Sequence, residues 1–198
     1  MQGLYYFVVK PVNSRYNNIK KIGDKSLITN TENFTHKNVN RNAIVLSTPK
    51  GFDTNISVGD EIIVHHNVFR RWKDVRGVEK NSKGYFEENK YFVQLDQIYL
   101  YKNNNTWKSV DEYCFVKPIH AIDNFSTEKE HPLVGVLKYT NNHEYLNDLK
   151  PGDLVGFVPR SEYEFIINDE RLYRVQTSAI TIKYEYQGEE REYNPSWL

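Results

Sequence analysis

Three short sequence landmarks occur twice in this 198-residue chain, in the same order. The first half contains FVVKPV (7–12), SVGDEIIV (57–64) and YFVQLDQIYLY (91–101), and the second half contains CFVKPI (114–119), KPGDLVGF (150–157) and YRVQTSAITIK (173–183). An ordered recurrence of this kind is typical of a duplicated structural unit. The sequence therefore predicts two tandem domains of related fold.

The two halves differ in the lengths of the connections between their landmarks. The first half is fourteen residues longer between the first and second landmarks, and eleven residues longer between the second and third. The longer connections hold SLIT (26–29) and FRRWKDVRGVEK (69–80). Loops accept insertions more readily than strands do. We predict domains at 1–104 and 105–198, because NNNTWKSVD (103–111) is polar and rich in turn-forming residues.

The segments around the landmarks have the composition of half-buried strands. The chain contains 15 Tyr and 10 Phe, and most of them lie in short segments that alternate apolar and polar residues. Examples are YYFVVKPV (5–12), NAIVLST (42–48) and KYFVQL (90–95). No long amphipathic helix is evident. Many short strands separated by turn signals favour an all-β fold, either a small barrel or a sandwich.

Composition also bears on location and partners. The 26 basic and 26 acidic residues cancel, so net charge predicts no nucleic-acid or membrane partner. No apolar run is long enough to cross a bilayer, and the N-terminus lacks the layout of a signal peptide. The single cysteine, Cys114, cannot form an internal disulfide, which fits a reducing compartment. These features predict a cytoplasmic protein.

A long polar stretch, 13–42, separates FVVKPV from the strand NAIVLS, and it contains the adjacent aliphatic residues Leu27 and Ile28. We find no helix or strand period in this stretch. The order of FVVKPV, a polar loop with SLIT, VGDEIIVHHN and VQLDQIYLY resembles the GroES-type co-chaperonins over most of residues 5–102. The second half retains the landmarks over 113–184. The whole arrangement resembles a tandem, phage-encoded member of that family.

The resemblance implies two tandem GroES-like small β-barrels, with a long flexible loop at 16–35 in the first. In the family this loop carries an aliphatic tripeptide followed by Thr, and it docks on the chaperonin. The matching residues here are Ser26, Leu27, Ile28 and Thr29, with Ser26 in place of the first aliphatic residue. The loop of the second half has no such triplet. The sequence offers no catalytic motif and no cofactor site, so we expect a protein that is not an enzyme.

The partners implied by the resemblance are a GroEL-type chaperonin and a folding client such as a viral capsid protein. A homo-oligomeric ring in the host bacterial cytoplasm is also implied. An alternative from a different class is a phage virion or assembly protein that uses the duplicated barrel as a structural adaptor. Periodicity leaves a second alternative open, in which Leu27 and Ile28 form a strand folded onto the core.

Three other features could carry chemistry. Phe69, Arg70, Arg71 and Trp72 form a basic and aromatic cluster of the kind that grips single-stranded nucleic acid. We favour a loop that covers a subunit contact. His65 and His66 could suggest a metal, but adjacent strand residues point to opposite faces, so we expect none. Cys114 lies among aromatic residues of a predicted strand, where a cysteine is inert.

Overall fold

The computed structural model describes residues 2–16, 19–28, 38–110, 112–121, 129–141, 148–168 and 170–186, with only the backbone described at 19–21 and 28. The chain divides into two compact units, 1–106 and 107–198, and the division falls inside the NNNTWKSVD segment. Antiparallel strands and short 3-10 turns make up both units, which confirms the predicted all-β class. Within the described ranges, no helix is long and apolar enough to cross a membrane.

The first unit is built on one seven-stranded sheet and two small hairpins. Its strands in chain order are β1 (Phe7–Pro11), β2 (Ile19–Ile22), β3 (Lys25–Ile28), β4 (Asn42–Ser47), β5 (Glu61–Val64), β6 (Trp72–Lys73), β7 (Glu79–Lys80), β8 (Tyr85–Glu87), β9 (Lys90–Val93), β10 (Ile98–Asn103) and β11 (Thr106–Ser109), which crosses the division. The sheet order is β11-β10-β5-β4-β1-β9-β8, while β2 pairs with β3 and β6 with β7.

The second unit is a six-stranded antiparallel sheet. Its strands are β12 (Tyr113–His120), β13 (Glu130–Tyr139), β14 (Leu154–Phe157), β15 (Tyr163–Ile167), β16 (Glu170–Gln176) and β17 (Ile180–Tyr184). The sheet order is β15-β16-β12-β13-β14-β17. In the part of the chain that the structure describes, the first and last strands of each sheet do not pair with each other, so neither sheet closes into a hydrogen-bonded barrel.

The strand orders of the two units correspond strand for strand. The order β10-β5-β4-β1-β9-β8 in the first unit matches β17-β14-β13-β12-β16-β15 in the second. The registers correspond as well, since Lys10 pairs with Ile44 and Lys117 pairs with Val136. A register shift falls at the same place in both first strands, after Val8 and after Phe115. The Gly-Asp landmarks therefore lead into equivalent strands, β5 and β14.

The Gly-Asp turn has the same geometry in both units. Gly59 and Gly152 have φ angles of 94° and 98°, a region in which a side chain is strained, so glycine is required there. A carboxylate oxygen of the following residue, Asp60 or Asp153, accepts the backbone N–H three residues earlier at 2.8 Å in each case. This side-chain bond closes the turn and fixes where the next strand begins.

Each unit has its own apolar core, made by the inward-facing residues of its strands. Side chains with no exposed surface include Phe7, Val9, Ile62, Tyr91 and Leu100 in the first unit and Val116, Leu137, Val155, Leu172 and Val175 in the second. Complete burial of such a side chain stabilises a fold by about 1.5–3 kcal/mol. Core positions repeat where Val9 corresponds to Val116 and Ile62 to Val155, but β17, the counterpart of the buried strand β10, has no buried residue.

The two units differ at one paired position, where Lys10 is exposed and its counterpart Lys117 is buried. The Nζ atom of Lys117 donates to Glu170 Oε1 at 2.8 Å, and Lys138 Nζ donates to the same oxygen at 3.1 Å. Burial alone would raise the pKa of Glu170, but the hydrogen bonds from the two lysines outweigh it and hold that pKa below its ordinary value.

We expect Glu170→Gln to lower the free energy of unfolding of the second unit by about 1–3 kcal/mol at neutral pH. Because the folded-state pKa is lowered, the carboxylate stabilises the fold above the ordinary glutamate pKa, and this contribution disappears as pH falls through the lowered value. The gap between wild type and variant should therefore shrink below about pH 4.5. Urea titrations at several pH values measure it. The exposed Glu112→Gln serves as the control, and a gap that stays constant into acid contradicts the argument.

Candidate functional site

The polar stretch between β1 and β4 contains the β2–β3 hairpin, an element that its sequence did not predict. Pairing runs from Ile19 opposite Ile28 to Ile22 opposite Lys25, which leaves a two-residue turn. Gly23, with a φ of 59°, takes the first turn position, the place of glycine in a type II′ turn. The hairpin forms a two-stranded sheet separate from the seven-stranded sheet. The stretch has no strand period in its sequence, yet the chain at 19–28, within the 16–35 segment expected to be a flexible loop, pairs as a hairpin.

The predicted docking residues fall on the second strand of this hairpin. Ser26, Leu27 and Ile28 belong to β3, whereas Thr29 lies outside the described residues, as do 17–18 and 29–35 of the expected loop. Ser26 is exposed, and the side chain of Leu27 is 54% exposed. The alternative prediction was that Leu27 and Ile28 form a strand folded onto the core. Leu27 does lie in a strand, but its exposed side chain is not part of the core.

A second exposed aliphatic residue, Ile22, lies beside Leu27 on the hairpin. Side chains alternate along a strand, and directly paired residues share a face, so Ile22, Lys25 and Leu27 are on the same face. Ile22 is 60% exposed and stands diagonal to Leu27 across the two strands. Ile22 is not among the docking residues predicted from the sequence. The signal was present in IGDK, since a Gly-Asp pair is typical of a two-residue hairpin turn.

Asn40 fixes the base of the connection that carries the hairpin. Its Nδ2 group donates to the carbonyl oxygens of Val12 and Ser14, at 2.5 and 2.8 Å, and its Oδ1 accepts the N–H of Asn42 at 2.9 Å. The side chain is buried, so a polar group left there without a hydrogen bond would destabilise the fold. Asn40 therefore joins the chain leaving β1 to the chain entering β4.

Arg15 ties the same base to the segment 66–84, which contains the longer second connection of the first unit. Its Nε and Nη2 atoms donate to the carbonyl oxygen of Phe69 at 3.1 and 2.9 Å, and Nη1 donates to Asn81 Oδ1 at 2.8 Å. The guanidinium lies 5.3 Å from the ring centre of Tyr91 and 5.8 Å from that of Tyr85, within cation–π range. One partly buried cation thus joins two loops and two strands.

Tyr16 adds a further bond between the hairpin base and the 66–84 segment. Its buried hydroxyl oxygen accepts the backbone N–H of Arg71 at 2.6 Å, and its backbone forms an isolated bridge with Val39. The Arg71 side chain turns outward and pairs with Glu79 at 2.7 Å. The 66–84 segment is consequently part of the structure that supports the hairpin.

The predicted subunit-contact residues separate into buried and exposed members. Phe69 has no exposed surface, and its ring packs edge-on against Tyr91 with centres 4.8 Å apart. Arg70 is half-buried. Trp72 is half exposed, and its Nε1 donates to the carbonyl oxygen of Asn81 at 3.2 Å. Phe69 is a core residue of the first unit in this structure, which leaves the other three to form any contact.

The structure corrects the geometry expected for His65 and His66. β5 ends at Val64, and a 3-10 turn begins at His66, so the two rings do not point to opposite faces of a strand. Their centres lie only 4.2 Å apart. The Nδ1 atom of His65 accepts the N–H of Asn67 at 3.0 Å and closes the turn. Within the described ranges, no group of three or more His, Cys, Asp or Glu residues is placed to hold a metal.

Cys114 is fully buried on β12, next to polar groups of the second unit. Its Sγ lies 3.8 Å from Thr177 Oγ1 and 3.9 Å from Asn141 Nδ2. Burial raises the pKa of the Cys114 thiol, and hydrogen bonds from neighbouring polar groups only partly offset this effect. The thiol is therefore neutral and inaccessible to a substrate.

No protein-family model matches this sequence, and comparison with curated proteins gives no match either. Any functional assignment therefore depends on the residues of the chain itself. The feature that stands out is an exposed aliphatic pair on a small hairpin, in a connection whose two ends are held by Asn40, Arg15 and Tyr16.

We expect Asn40→Ala to lower the free energy of unfolding of the first unit by about 1–3 kcal/mol, because three backbone groups lose their buried partner. Denaturant titration of the variant measures this loss. Asn55→Ala, at an exposed position of the same unit, is the matched control and should change stability by less than about 0.5 kcal/mol. Equal effects of the two substitutions contradict the role of Asn40.

We expect backbone amides of the β2–β3 hairpin to exchange with solvent faster than those of β1 and β4. A two-stranded hairpin that is not part of a larger sheet is marginally stable, whereas β1 is paired on both sides. Hydrogen exchange followed by mass spectrometry resolves the two regions. Protection at Leu27 equal to that at Val45 would place the hairpin in the cooperative core instead.

Proposed function

We propose that this chain is a GroES-type co-chaperonin that caps a GroEL-type chaperonin and assists ATP-dependent folding. The observation that carries the proposal is the exposed pair Leu27 and Ile22 on the β2–β3 hairpin, in the connection between β1 and β4. This is the connection in which the family carries its aliphatic docking segment. Ser26 and Ile28 extend the segment along β3.

The matching strand orders of the two units support a tandem, duplicated GroES-like architecture. Equivalent registers at Lys10 and Lys117, and equivalent turns at Gly59 and Gly152, are what a duplicated domain would retain. Each sheet is open in its hydrogen bonding, so closure of a barrel would come from packing between the sheet ends. The proposal of two small barrels rests on strand order and core positions.

The energetics of the hairpin suit reversible docking. Moving two aliphatic side chains from water into an apolar groove is worth about 3–6 kcal/mol before ordering costs. A chain that already pairs as a hairpin has fewer backbone conformations to lose than a disordered loop, which reduces those costs. A single hairpin still binds weakly. Several hairpins on one ring bind together through their effective concentration, and a conformational change in the chaperonin can release them.

The bonds that hold the two ends of the connection also favour reversible docking of the hairpin. Asn40 holds the two ends of the connection together, and Arg15 and Tyr16 bind them to the 66–84 segment. A docking element with a fixed base samples a smaller volume, so its effective concentration at the partner rises. The exposed face, with Ile22, Lys25 and Leu27, is left for the partner.

In this proposal the chain has no catalytic step of its own. ATP binding and hydrolysis belong to the chaperonin, and the client is a protein such as a viral capsid subunit folding in a bacterial host. The first units of several copies would supply the docking hairpins of a homo-oligomeric ring. The alternative, a virion or assembly adaptor, uses the same hairpin to bind a particle protein.

We expect the double variant Ile22→Asp/Leu27→Asp to abolish ATP-dependent co-elution with a GroEL-type chaperonin while leaving the melting temperature nearly unchanged. The carboxylates would remain solvated in the free protein, but on docking they would enter an apolar groove unpaired. The loss multiplies over the hairpins of a ring. A second double variant, Leu27→Asp/Ile28→Asp, changes the docking residues predicted from the sequence, and the same co-elution and melting measurements test it.

Val58→Asp is the matched control, because Val58 is an exposed aliphatic residue of the same unit, at 62% exposure, and lies outside the hairpin. It should co-elute like wild type. If the hairpin variant also co-elutes normally, the docking role is wrong. If wild type never binds a chaperonin but is found in purified virus particles, the adaptor function replaces the proposed one.

A further inference from the structure

A cavity of about 430 Å³ lies in the first unit, beside the 66–84 segment. One wall is formed by Asn67, Val68, Arg70 and Trp72, a second by 82–84, and a third by Phe92 and Gln97. Pockets that bind small molecules have volumes of about 300–1,000 Å³. The cavity is separate from the β2–β3 hairpin, none of whose residues line it.

The charged groups of the cavity are all cationic. Arg70 and Lys83 line it, and none of the described residues that line it carries a carboxylate. The Nε atom of Arg70 is inaccessible to solvent and has no hydrogen-bond acceptor in the described part of the chain. The Nε atom of the neighbouring Arg71 is likewise inaccessible and without an acceptor in the described part of the chain, but Nη1 of Arg71 is paired with Glu79. Because the Nε atom of Arg70 is inaccessible, an anion in the cavity would be bound by the other donors of the Arg70 guanidinium and by Lys83.

The cavity also presents flat aromatic and amide side chains. Trp72 lines it with a half-exposed indole, whose orientation is fixed by the bond from Nε1 to the carbonyl oxygen of Asn81. Phe92 supplies a second ring. Bases stack on such rings with little dependence on sequence. The side-chain amides of Asn67 and Gln97 can donate to and accept from the edge of a base.

The walls of the cavity are held in place without a ligand. Ser82 Oγ donates to the carbonyl oxygen of Val68 at 2.6 Å, which joins two walls. Phe92 N–H donates to the carbonyl oxygen of Gly84 at 2.7 Å, and a Cβ at Gly84 would come within 2.5 Å of the Phe92 carbonyl oxygen, so only glycine permits this approach. A preformed site loses little entropy when a ligand binds.

We propose that this cavity binds a nucleoside phosphate, with the phosphate on Arg70 and Lys83 and the base against Trp72. The ligand is either a free nucleotide or one nucleotide of a single strand, since both present the same groups. The zero net charge of the chain argues against long-range attraction to nucleic acid, but a local site with two cations does not depend on net charge. This inference does not depend on chaperonin docking.

The test is isothermal titration of the full-length chain with adenosine monophosphate, a short oligothymidylate, adenosine and pyrophosphate. We expect saturable binding of the mononucleotide or the oligonucleotide, and weaker binding of adenosine and pyrophosphate, each of which supplies only half of the contacts. Arg70→Gln and Trp72→Leu should each weaken the binding by about tenfold or more. If wild type binds the mononucleotide more tightly, the ligand is a free nucleotide; if it binds the oligonucleotide more tightly, the ligand is a nucleotide within a single strand.

Arg76→Gln is the matched control, because it removes the same charge from the β6–β7 turn without touching the cavity. Its affinity should change by less than about twofold. Arg70→Lys, which keeps the charge, should retain part of the affinity, and melting curves verify that each variant is folded. The proposal is overturned if neither nucleotide probe binds at millimolar concentration, if pyrophosphate binds as tightly as the mononucleotide, or if Arg76→Gln weakens binding as much as Arg70→Gln.

Discussion

In each unit, the strand that carries the Lys-Pro pair is an inner strand of the sheet, hydrogen-bonded to a neighbour on both sides, and the first connection of the unit begins where that strand ends. β1 lies between β4 and β9, and β12 lies between β13 and β16. Both strands reach a Lys-Pro pair, and proline cannot donate to a ladder. β1 ends at Pro11, so the chain leaves the sheet there and forms the connection that carries the hairpin. β12 continues past Pro118 through a register irregularity, and His120 still pairs with Glu130. The same proline occurs in both units, but the chain differs after it: a long connection follows in the first unit and an extended strand pair in the second.

The strands that hold the repeated landmarks were accessible from the sequence because a half-buried sheet imposes a period of two, and because Gly-Asp turns require glycine at positive φ. Two kinds of feature were not accessible. The β2–β3 hairpin is too short and too polar for a periodic signal, and only the IGDK turn marked it. Long-range bonds have no local signature: nothing near Arg15 in the sequence indicates Phe69 or Asn81, and nothing near Lys117 indicates Glu170. The prediction that the rings of His65 and His66 point to opposite faces was wrong for another reason. It assumed that the strand continues past Val64, where β5 ends.

The two units have the same strand order, but different kinds of side-chain bond stabilise them. The first unit uses polar bonds from Arg15, Tyr16 and Asn40 to fix loops to one another. The second unit uses charge pairs within its sheet, where Arg171 bonds both Glu130 and Glu164 at 2.6 and 2.7 Å. Burial opposes the charge of Arg171, but these two carboxylates outweigh it and raise its pKa. Loops held by neutral acceptors keep the same bonds across a wide pH range, whereas a sheet held by carboxylates weakens in acid.

The 66–84 segment has two structural roles that can be separated by residue. Its backbone supports the hairpin base, since the Phe69 carbonyl and the Arg71 N–H are the groups that Arg15 and Tyr16 bind. Its side chains at Arg70 and Trp72 line the cavity instead. A substitution at Arg15 would therefore disturb both roles, because it releases the backbone on which the cavity wall is built. A substitution at Arg70 affects the cavity only, and one at Leu27 affects the hairpin only. In the described part of the chain, neither side chain is hydrogen-bonded to the residues that hold the connection, Arg15, Tyr16 and Asn40. The hairpin and the cavity are thus distinct surfaces on one support, and a loss of function at either can be assigned without reference to the other.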